Sequence, residues 1–366
     1  MESLPLRETS GEPEERPVNR LTETELIALE RRYNENEDIH LPTGERMVIN
    51  DLRPMRETGT PVVFVPGYYA EGDSFKGPML DLALSGRRVL TYNAYHGIDT
   101  TAFRAQYAAK IAELQRRDPQ TDIEPQLRKT AALITLLEEK NLRCVDVFGH
   151  SEGAIVATIA AYLRPDLFQK KVFLNPAGLI SPTAGKFGMS MGVVLDNLNT
   201  LGTRIERTVA GEIACFRDWV GQLLSMEGKA LRPPQMDSRR VSKRYYALSV
   251  VQSDAEALKA EYRAGEQVHL DREFTAVTTR KLERWLPLLD QNVIIGTGTD
   301  DRLFPSSTVR SRARKGGVTQ FITIQGAGHN VQHYEPGKVS TFLCKALGIG
   351  PHEVDEQIAL LRTMGN

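Results

Sequence analysis

Gly149-His150-Ser151-Glu152-Gly153 is the stretch of this chain whose residue types and spacing most plainly suit chemistry. The serine stands between an apolar run, Val145–Phe148 (VDVF), and a helix-like run, Glu152–Leu163 (EGAIVATIAAYL). A strand that turns sharply into a helix forces its central residue into a strained conformation. Glycines two residues to either side remove the Cβ clashes of such a turn. The hydroxyl of Ser151 would then project at the carboxyl edge of a sheet, beside the positive end of a helix. That is where a nucleophile attacking a carbonyl is needed.

A serine hydroxyl is a weak nucleophile without a base. Seven histidines are available, and His329 is the best placed. It lies in Gly326-Ala327-Gly328-His329-Asn330, just past the strand-like run Gln320–Ile324. A glycine-rich loop there lets an imidazole reach across the strand ends. His150 would point away from the serine in such a turn. His333 is four residues beyond His329 and is the runner-up. His40, His269 and His352 are expected at surface or loop positions. The base in turn needs a carboxylate to orient it. Gly298-Thr299-Asp300-Asp301-Arg302-Leu303-Phe304-Pro305 lies between serine and histidine in the chain. Asp301, four residues before Pro305, is the choice, with Asp300 second.

Acyl transfer also calls for donors to a developing oxyanion. The backbone N–H of Glu152, next after the serine, is one. The other is expected from Pro66-Gly67-Tyr68-Tyr69, after the run Pro61–Val65 (PVVFV), with the N–H of Tyr68 favoured. Gly67 lets the backbone come close to a substrate, and Tyr69 is placed beside it. Gly296-Thr297-Gly298 lacks the third glycine and the following helix of a dinucleotide fingerprint. No metal-binding pattern occurs, and no cofactor is expected. The basic groups Arg239-Arg240 with Lys243-Arg244, and Arg310 to Lys315, are read as solvated faces.

The elements that must position these residues follow from the apolar pattern. Strands are predicted at Arg46–Leu52, Pro61–Val65, Arg88–Asn93, Val145–Phe148, Lys171–Leu174, Asn292–Ile295 and Gln320–Ile324. Most are continuous β-branched runs, which suit strands buried on both faces. Helical segments such as Glu124–Lys140 and Glu152–Leu163 separate several of them. The fold class is therefore α/β, a mostly parallel central sheet with helices on both faces. From about Ser181 to Trp285 no buried strand is evident. This stretch is predicted to be a helical cap inserted over the strand ends, with Met189, Met191, Phe216, Trp219 and Leu223 read as its core rather than as a pocket wall. The organisation expected is 1–40 tail and short helix, 41–180 and 286–366 core, 181–285 cap. Residues 1–20 are read as a disordered tail and 22–34 as a helix capped by Thr22. Cys144 is read as a core residue.

Composition narrows the function classes. Lys+Arg is 46 against Asp+Glu 47, so binding to nucleic acid through bulk positive charge is not expected. The most apolar run, Gly153–Leu163, is about half of the roughly 20 residues a membrane-spanning helix needs. Cys144, Cys215 and Cys344 show neither disulfide nor metal spacing. A cytoplasmic protein acting on a small molecule is expected, its oligomeric state open.

Taken together, GHSEGA, GTDDRLFP and GAGHN resemble the nucleophile, acid and histidine motifs of the α/β-hydrolase fold superfamily. The resemblance covers roughly residues 46–180 and 286–349. It implies a serine hydrolase with Ser151, Asp301 and His329 as its catalytic residues. Pro66-Gly67 stands where many members have His-Gly, and Asn93 where many have Asp, which sets the chain apart from the commonest esterase branches. A serine at the elbow speaks against the haloalkane dehalogenases and epoxide hydrolases of this fold, which use aspartate there. Cleavage of a carboxylic or lipid ester, with an apolar acyl or alcohol portion, is expected first. Carbon–carbon, thioester or amide hydrolysis by the same residues is the alternative, as is a ligand-binding protein without turnover.

Overall fold

The computed structural model describes residues 17–33, 36–40, 46–67, 72–93, 99–119, 122–180, 281–290 and 292–364. Its centre is an eight-stranded sheet: β1 (Asn36–His40), β2 (Arg46–Leu52), β3 (Val62–Val65), β4 (Val89–Asn93), β5 (Val145–His150), β6 (Phe168–Leu174), β7 (Val293–Gly298) and β8 (Gln320–Ile324). The spatial order is β1-β2-β4-β3-β5-β6-β7-β8. The pairs β1/β2 and β2/β4 are antiparallel, and all the others are parallel.

The apolar runs are continuous because both faces of the sheet are covered, so alternate residues serve two cores. Val63, Val65, Val147, Phe173 and Ile295 join one cluster with residues of α5 (Glu124–Glu139) and α6 (Gly153–Leu163). Val62, Phe64, Phe148, Val172, Leu174 and Ile294 join the other. That second core is built with α2 (Lys76–Ala83) and with two later helices, Pro336–Leu347 and Pro351–Met364. Three further helices lie earlier in the chain: α1 (Glu23–Tyr33), α3 (Thr101–Gln106) and α4 (Ala108–Arg117). In α1, Thr22 Oγ1 accepts the Glu25 N–H and Glu25 returns a carboxylate to the Thr22 N–H. This is a capping box that satisfies donors the helix leaves open.

Three sequence expectations change. Residues 17–20 are not part of a disordered tail: they form a 3-10 turn, and the Val18 N–H donates to Asp81. Strand β1 was not expected, since NEDIH carries no apolar alternation. It arises by pairing with β2, from Asn36 opposite Asn50 to His40 opposite Arg46. Cys144 is exposed rather than core, because it sits with φ at 56° in the turn just before β5.

Of the predicted cap, residues 181–280 lie outside the described residues, and with them Met189, Met191, Phe216, Trp219, Leu223 and the Arg239 to Arg244 group. Its predicted last residues are α7 (Lys281–Trp285), where Leu282 and Trp285 are buried in the first core. The Leu282 N–H donates to the Gly178 carbonyl at 3.0 Å. The described residues on either side of 181–280 therefore meet at one place, a few residues past the carboxyl end of β6.

Candidate active site

The parallel strands β3, β5, β6, β7 and β8 end along one edge, and the residues singled out in the sequence follow those ends. Ser151 comes directly after β5. Its φ is 51°, the left-handed region that a side chain with a Cβ enters only at a cost. Such strain persists where the surroundings over-determine it. Here the Ser151 N–H donates to the Leu174 carbonyl at 3.1 Å, and its own carbonyl accepts from Ala154 and Ala177. The flanking glycines are required by space. A Cβ on Gly149 would lie 2.7 Å from the Gly153 backbone, and one on Gly153 would lie 2.1 Å from the Val65 carbonyl oxygen.

His329 lies in the loop after β8, before α9 (Val331–Tyr334). Its Nε2 is 3.1 Å from Ser151 Oγ, and its Nδ1 is 3.0 Å from Asp301 Oδ2. The second carboxylate oxygen of Asp301 accepts the N–H groups of Leu303 at 2.9 Å and Phe304 at 2.8 Å. Those donors come from the turn leading into α8 (Ser306–Lys315). They aim the free face of the carboxylate at the imidazole. A carboxylate can only accept, so the shared proton belongs to Nδ1 and Nε2 is left to accept from the serine hydroxyl. All three residues are buried: Ser151 is 7% exposed, His329 5% and Asp301 4%. Chemically, the chain Ser–His–Asp can draw a proton from Oγ and hold the resulting imidazolium.

Asp300 does not join them; it is exposed, and its carboxylate accepts the Thr299 hydroxyl. His333 lies in α9. His150 is buried behind the serine, its Nε2 on the His329 carbonyl rather than near Oγ. His352 is exposed at the start of the last helix. Gly67 is buried next to the serine turn; a Cβ there would lie 3.0 Å from Ser151 Cβ. Tyr68 and Tyr69 lie outside the described residues.

Glu152 holds a surprise. Its backbone directly precedes α6, and its side chain is fully buried. One carboxylate oxygen accepts Gln126 Nε2 at 2.6 Å and the other accepts Lys129 Nζ at 2.8 Å. Lys281 Nζ donates to Gln126 Oε1 at 3.4 Å, extending the cluster to α7. Burial pushes the Lys281 ammonium down to about 8, against the pull of Glu152, Asp118 and Asp122. Sequence reasoning missed Gln126, Lys129 and Lys281. On α5 the first two are ordinary helix residues, and only the fold brings them to the elbow.

The predicted basic group Arg310 to Lys315 forms much of α8; Arg310 and Arg314 stack on the ring of Phe321. A cleft opens beside them, lined by residues that include Asp301, Ser306 and Arg310 but neither Ser151 nor His329. Among the described residues, no group of three His, Cys, Asp or Glu side chains is arranged to hold a metal ion. Nor is any described helix long and apolar enough to cross a membrane.

Comparison with known proteins agrees with this architecture. A solved structure of a membrane phospholipase A, described as a bacterial virulence factor, superposes with a TM-score of 0.53 at 12% identity, covering 91% of each chain. A putative lipase from Acinetobacter baumannii AYE gives 0.51 at 12% identity, over 89% of this chain and 97% of that one. A hydrolase from Pseudomonas aeruginosa PA01 gives 0.50 at 16%, over 86% and 99%. At such identities the likeness is one of fold. In sequence, 84 residues are 30% identical to karrikin insensitive 2 receptor B of Petunia hybrida, which is 23% of this chain and 30% of that protein's length. The model of the alpha/beta hydrolase family matches residues 62–341. With that match spanning β3 through the helix that follows the histidine loop, the chain belongs to the alpha/beta hydrolase family.

Proposed function

We propose that this protein is a serine hydrolase that cleaves a carboxylic or lipid ester through an acyl-enzyme on Ser151. The observation that carries the proposal is the continuous hydrogen-bonded chain from Ser151 Oγ through His329 to Asp301, at 3.1 and 3.0 Å. Ser151 Oγ attacks the ester carbonyl carbon while its proton passes to His329 Nε2. Asp301 holds the imidazolium and fixes its tautomer. The tetrahedral oxyanion is met by the backbone N–H of Glu152 and by that of Tyr68. The carbon–oxygen bond then breaks, and His329 returns the proton to the departing alkoxide. Water, deprotonated by the same imidazole, attacks the acyl-serine; the carboxylic acid leaves and the hydroxyl is restored. No cofactor enters this sequence.

A cap over residues 181–285 is part of the proposal. Ile180 and Lys281 flank the stretch, the Gly178–Leu282 hydrogen bond joins the two flanks, and the Ala177 N–H next to them donates to the Ser151 carbonyl. An insertion rooted there lies over or beside the serine, where it would select a substrate with an apolar acyl or alcohol portion.

The same residues suit thioester, amide or carbon–carbon bond hydrolysis. Ligand binding without turnover is the remaining rival, and the partial match to a protein named as a receptor favours keeping it in the test. A panel of p-nitrophenyl esters of increasing acyl length, with thioester and anilide counterparts, separates these readings. Turnover of esters that disappears in Ser151→Ala is expected. Binding of a slow substrate with no turnover of any of the panel, and no labelling by a fluorophosphonate, would overturn the proposal.

A further inference from the structure

The loop that carries His329 is tied to the acid turn at its start, where the Gly326 N–H donates to Thr299 Oγ1 at 2.8 Å and the Asp300 N–H donates to the Ala327 carbonyl at 2.9 Å. Gly326, Ala327 and Gly328 precede the histidine, and Gly326 takes φ at 64°. Those two bonds stop short of Gly328 and His329, and the imidazole keeps its place between serine and aspartate only if the carbonyls of these two residues are fixed as well. Two buried side chains reach that backbone. His150 Nε2 is 3.0 Å from the His329 carbonyl oxygen, and Asn175 Nδ2 is 3.2 Å from the same oxygen. Asn175 Nδ2 is also 3.0 Å from the Gly328 carbonyl, while its Oδ1 accepts the Gly298 N–H at 2.8 Å.

We propose that Asn175 and His150 are positioning residues, which hold the His329 carbonyl so that its imidazole stays in register between Ser151 and Asp301. The proposal rests on the serine-hydrolase reading above. It concerns what keeps that reading's base in place.

Three features argue for it. First, the two clamps are fixed to the same frame as the nucleophile. His150 immediately precedes Ser151. Asn175 immediately follows Leu174, whose carbonyl accepts the Ser151 N–H. Second, the Asn175 amide ties three strand ends together. It sits at the end of β6, accepts from the last residue of β7 three positions before Asp301, and donates into the histidine loop. A shift of the acid turn, the histidine loop or the nucleophile turn would break one of its bonds. Third, Asn175 is costly as a purely structural choice. It is fully buried with φ at 45°. That conformation suits glycine better than any residue with a Cβ, and a buried amide is tolerated only when its donors and acceptor are used. Glycine would serve the turn but has nothing to offer the His329 loop.

The ring of His150 complements this. A carbonyl only accepts, so Nε2 carries the proton of the neutral ring and Nδ1 is an acceptor. The two imidazoles are 5.0 Å apart, centre to centre. Burial, with the neighbouring His329 charge, holds His150 well below the ordinary histidine range. His150 therefore remains a neutral donor while His329 takes up the serine proton. The positive charge of the reaction stays on the ring that faces Asp301.

The test compares four variants on a p-nitrophenyl ester the parent protein cleaves, with circular dichroism to check folding. Asn175→Gly removes the amide at a φ that glycine accepts, and Asn175→Asp replaces the donor by an acceptor facing two carbonyls. His150→Leu removes the ring donor; His150→Gln keeps an N–H near the Nε2 position. We expect Asn175→Gly, Asn175→Asp and His150→Leu to lower kcat by about tenfold to a hundredfold, the cost of misplacing a reacting group by about 1 Å. KM should stay near the parent value. His150→Gln should recover most of the loss. A folded Asn175→Gly protein with the parent's kcat would overturn the proposal. If Asn175→Gly does not fold, the histidine pair decides: equal kcat for His150→Leu and His150→Gln would also overturn it. Activity surviving in Ser151→Ala would instead sink the serine-hydrolase reading itself.

Discussion

The Lys129 ammonium meets the carboxylate of Glu152 at 2.8 Å, directly behind the turn that carries Ser151. Gln126 takes the other carboxylate oxygen at 2.6 Å. A buried carboxylate is tolerated only with such partners. Its place immediately before α6 also suits the positive end of that helix. The residue that lends its backbone N–H to the proposed oxyanion site thus fixes that backbone through its own side chain.

Removing the carboxylate should therefore be felt in stability. Breaking a buried ion pair by deleting one partner costs about 3–5 kcal/mol. Lys129 is 15% exposed, so some solvation remains and the lower end of that range is expected for Glu152→Ala. Glu152→Gln, which keeps a carbonyl acceptor for one of the two donors, should lose less. Urea denaturation measures both. An unchanged midpoint in Glu152→Ala would mean that the pair adds nothing to the fold.

Ser151→Ala should abolish the hydroxyl's chemistry while sparing the structure. Removing a triad serine elsewhere lowers kcat by roughly six orders of magnitude. The variant should also lose labelling by a fluorophosphonate. Its melting temperature should stay close to the parent's, because among the described residues the hydrogen-bond partner of Oγ is His329 alone. Alanine at φ near 51° keeps the strain that serine already bears. Activity retained in a clean preparation would remove Ser151 from the mechanism.

Asp301 and Asp300 are adjacent in sequence and opposite in surroundings. Asp301 is buried, with one oxygen on His329 and the other on two backbone N–H groups. Asp300 is exposed, with its carboxylate on Thr299. Asp301→Asn should leave the fold standing and cost about 10⁴ in kcat, through the wrong imidazole tautomer. Asp300→Asn should stay within a few-fold of the parent. Steady-state rates of the two variants check this, and the reverse order would move the role to Asp300.

What could be read in advance depended on whether the cause was local. The serine turn was legible because glycines at 149 and 153 answer a steric demand within five residues, and the parallel strands because continuous β-branched runs need two buried faces. Asp301 could be picked from its distance to Pro305, since the turn into α8 supplies its two backbone donors. Strand β1 could not be seen, because its pattern comes from pairing with β2 and not from its own residues. Cys144 misled because an apolar strand follows it, whereas its backbone has already turned outward. The cluster of Gln126, Lys129 and Lys281 around Glu152 has no local trace. Its members come from two helices far apart in the chain and meet only after the sheet has formed. Asn175, which with Pro176 follows the run Lys171–Leu174, carries in its own sequence no more than the signal for a strand's end.

Lys281 yields the last prediction, one of pH and stability. Its side chain is buried at the start of α7. Burial pushes its ammonium down from 10.5 to about 8 in the folded protein, with Glu152, Asp118 and Asp122 opposing. In the unfolded chain the group keeps its ordinary affinity for protons. Between those two values the unfolded state binds more protons than the folded one, so this group makes stability rise as pH rises. Below about pH 8 both states are charged, and the folded protein bears the full cost of burying the ammonium. The gain recovered across the window is about 3 kcal/mol. Lys281→Met cannot titrate and should lose this part of the slope. Other lysines and tyrosines also titrate there, so the quantity to compare is the difference between variant and parent. Urea midpoints taken from about pH 7 to about pH 10 should converge or cross as the parent gains on the variant. Parallel curves would mean that Lys281 holds its proton equally in both states, and that its place beside Gln126 and Trp285 costs the ammonium nothing.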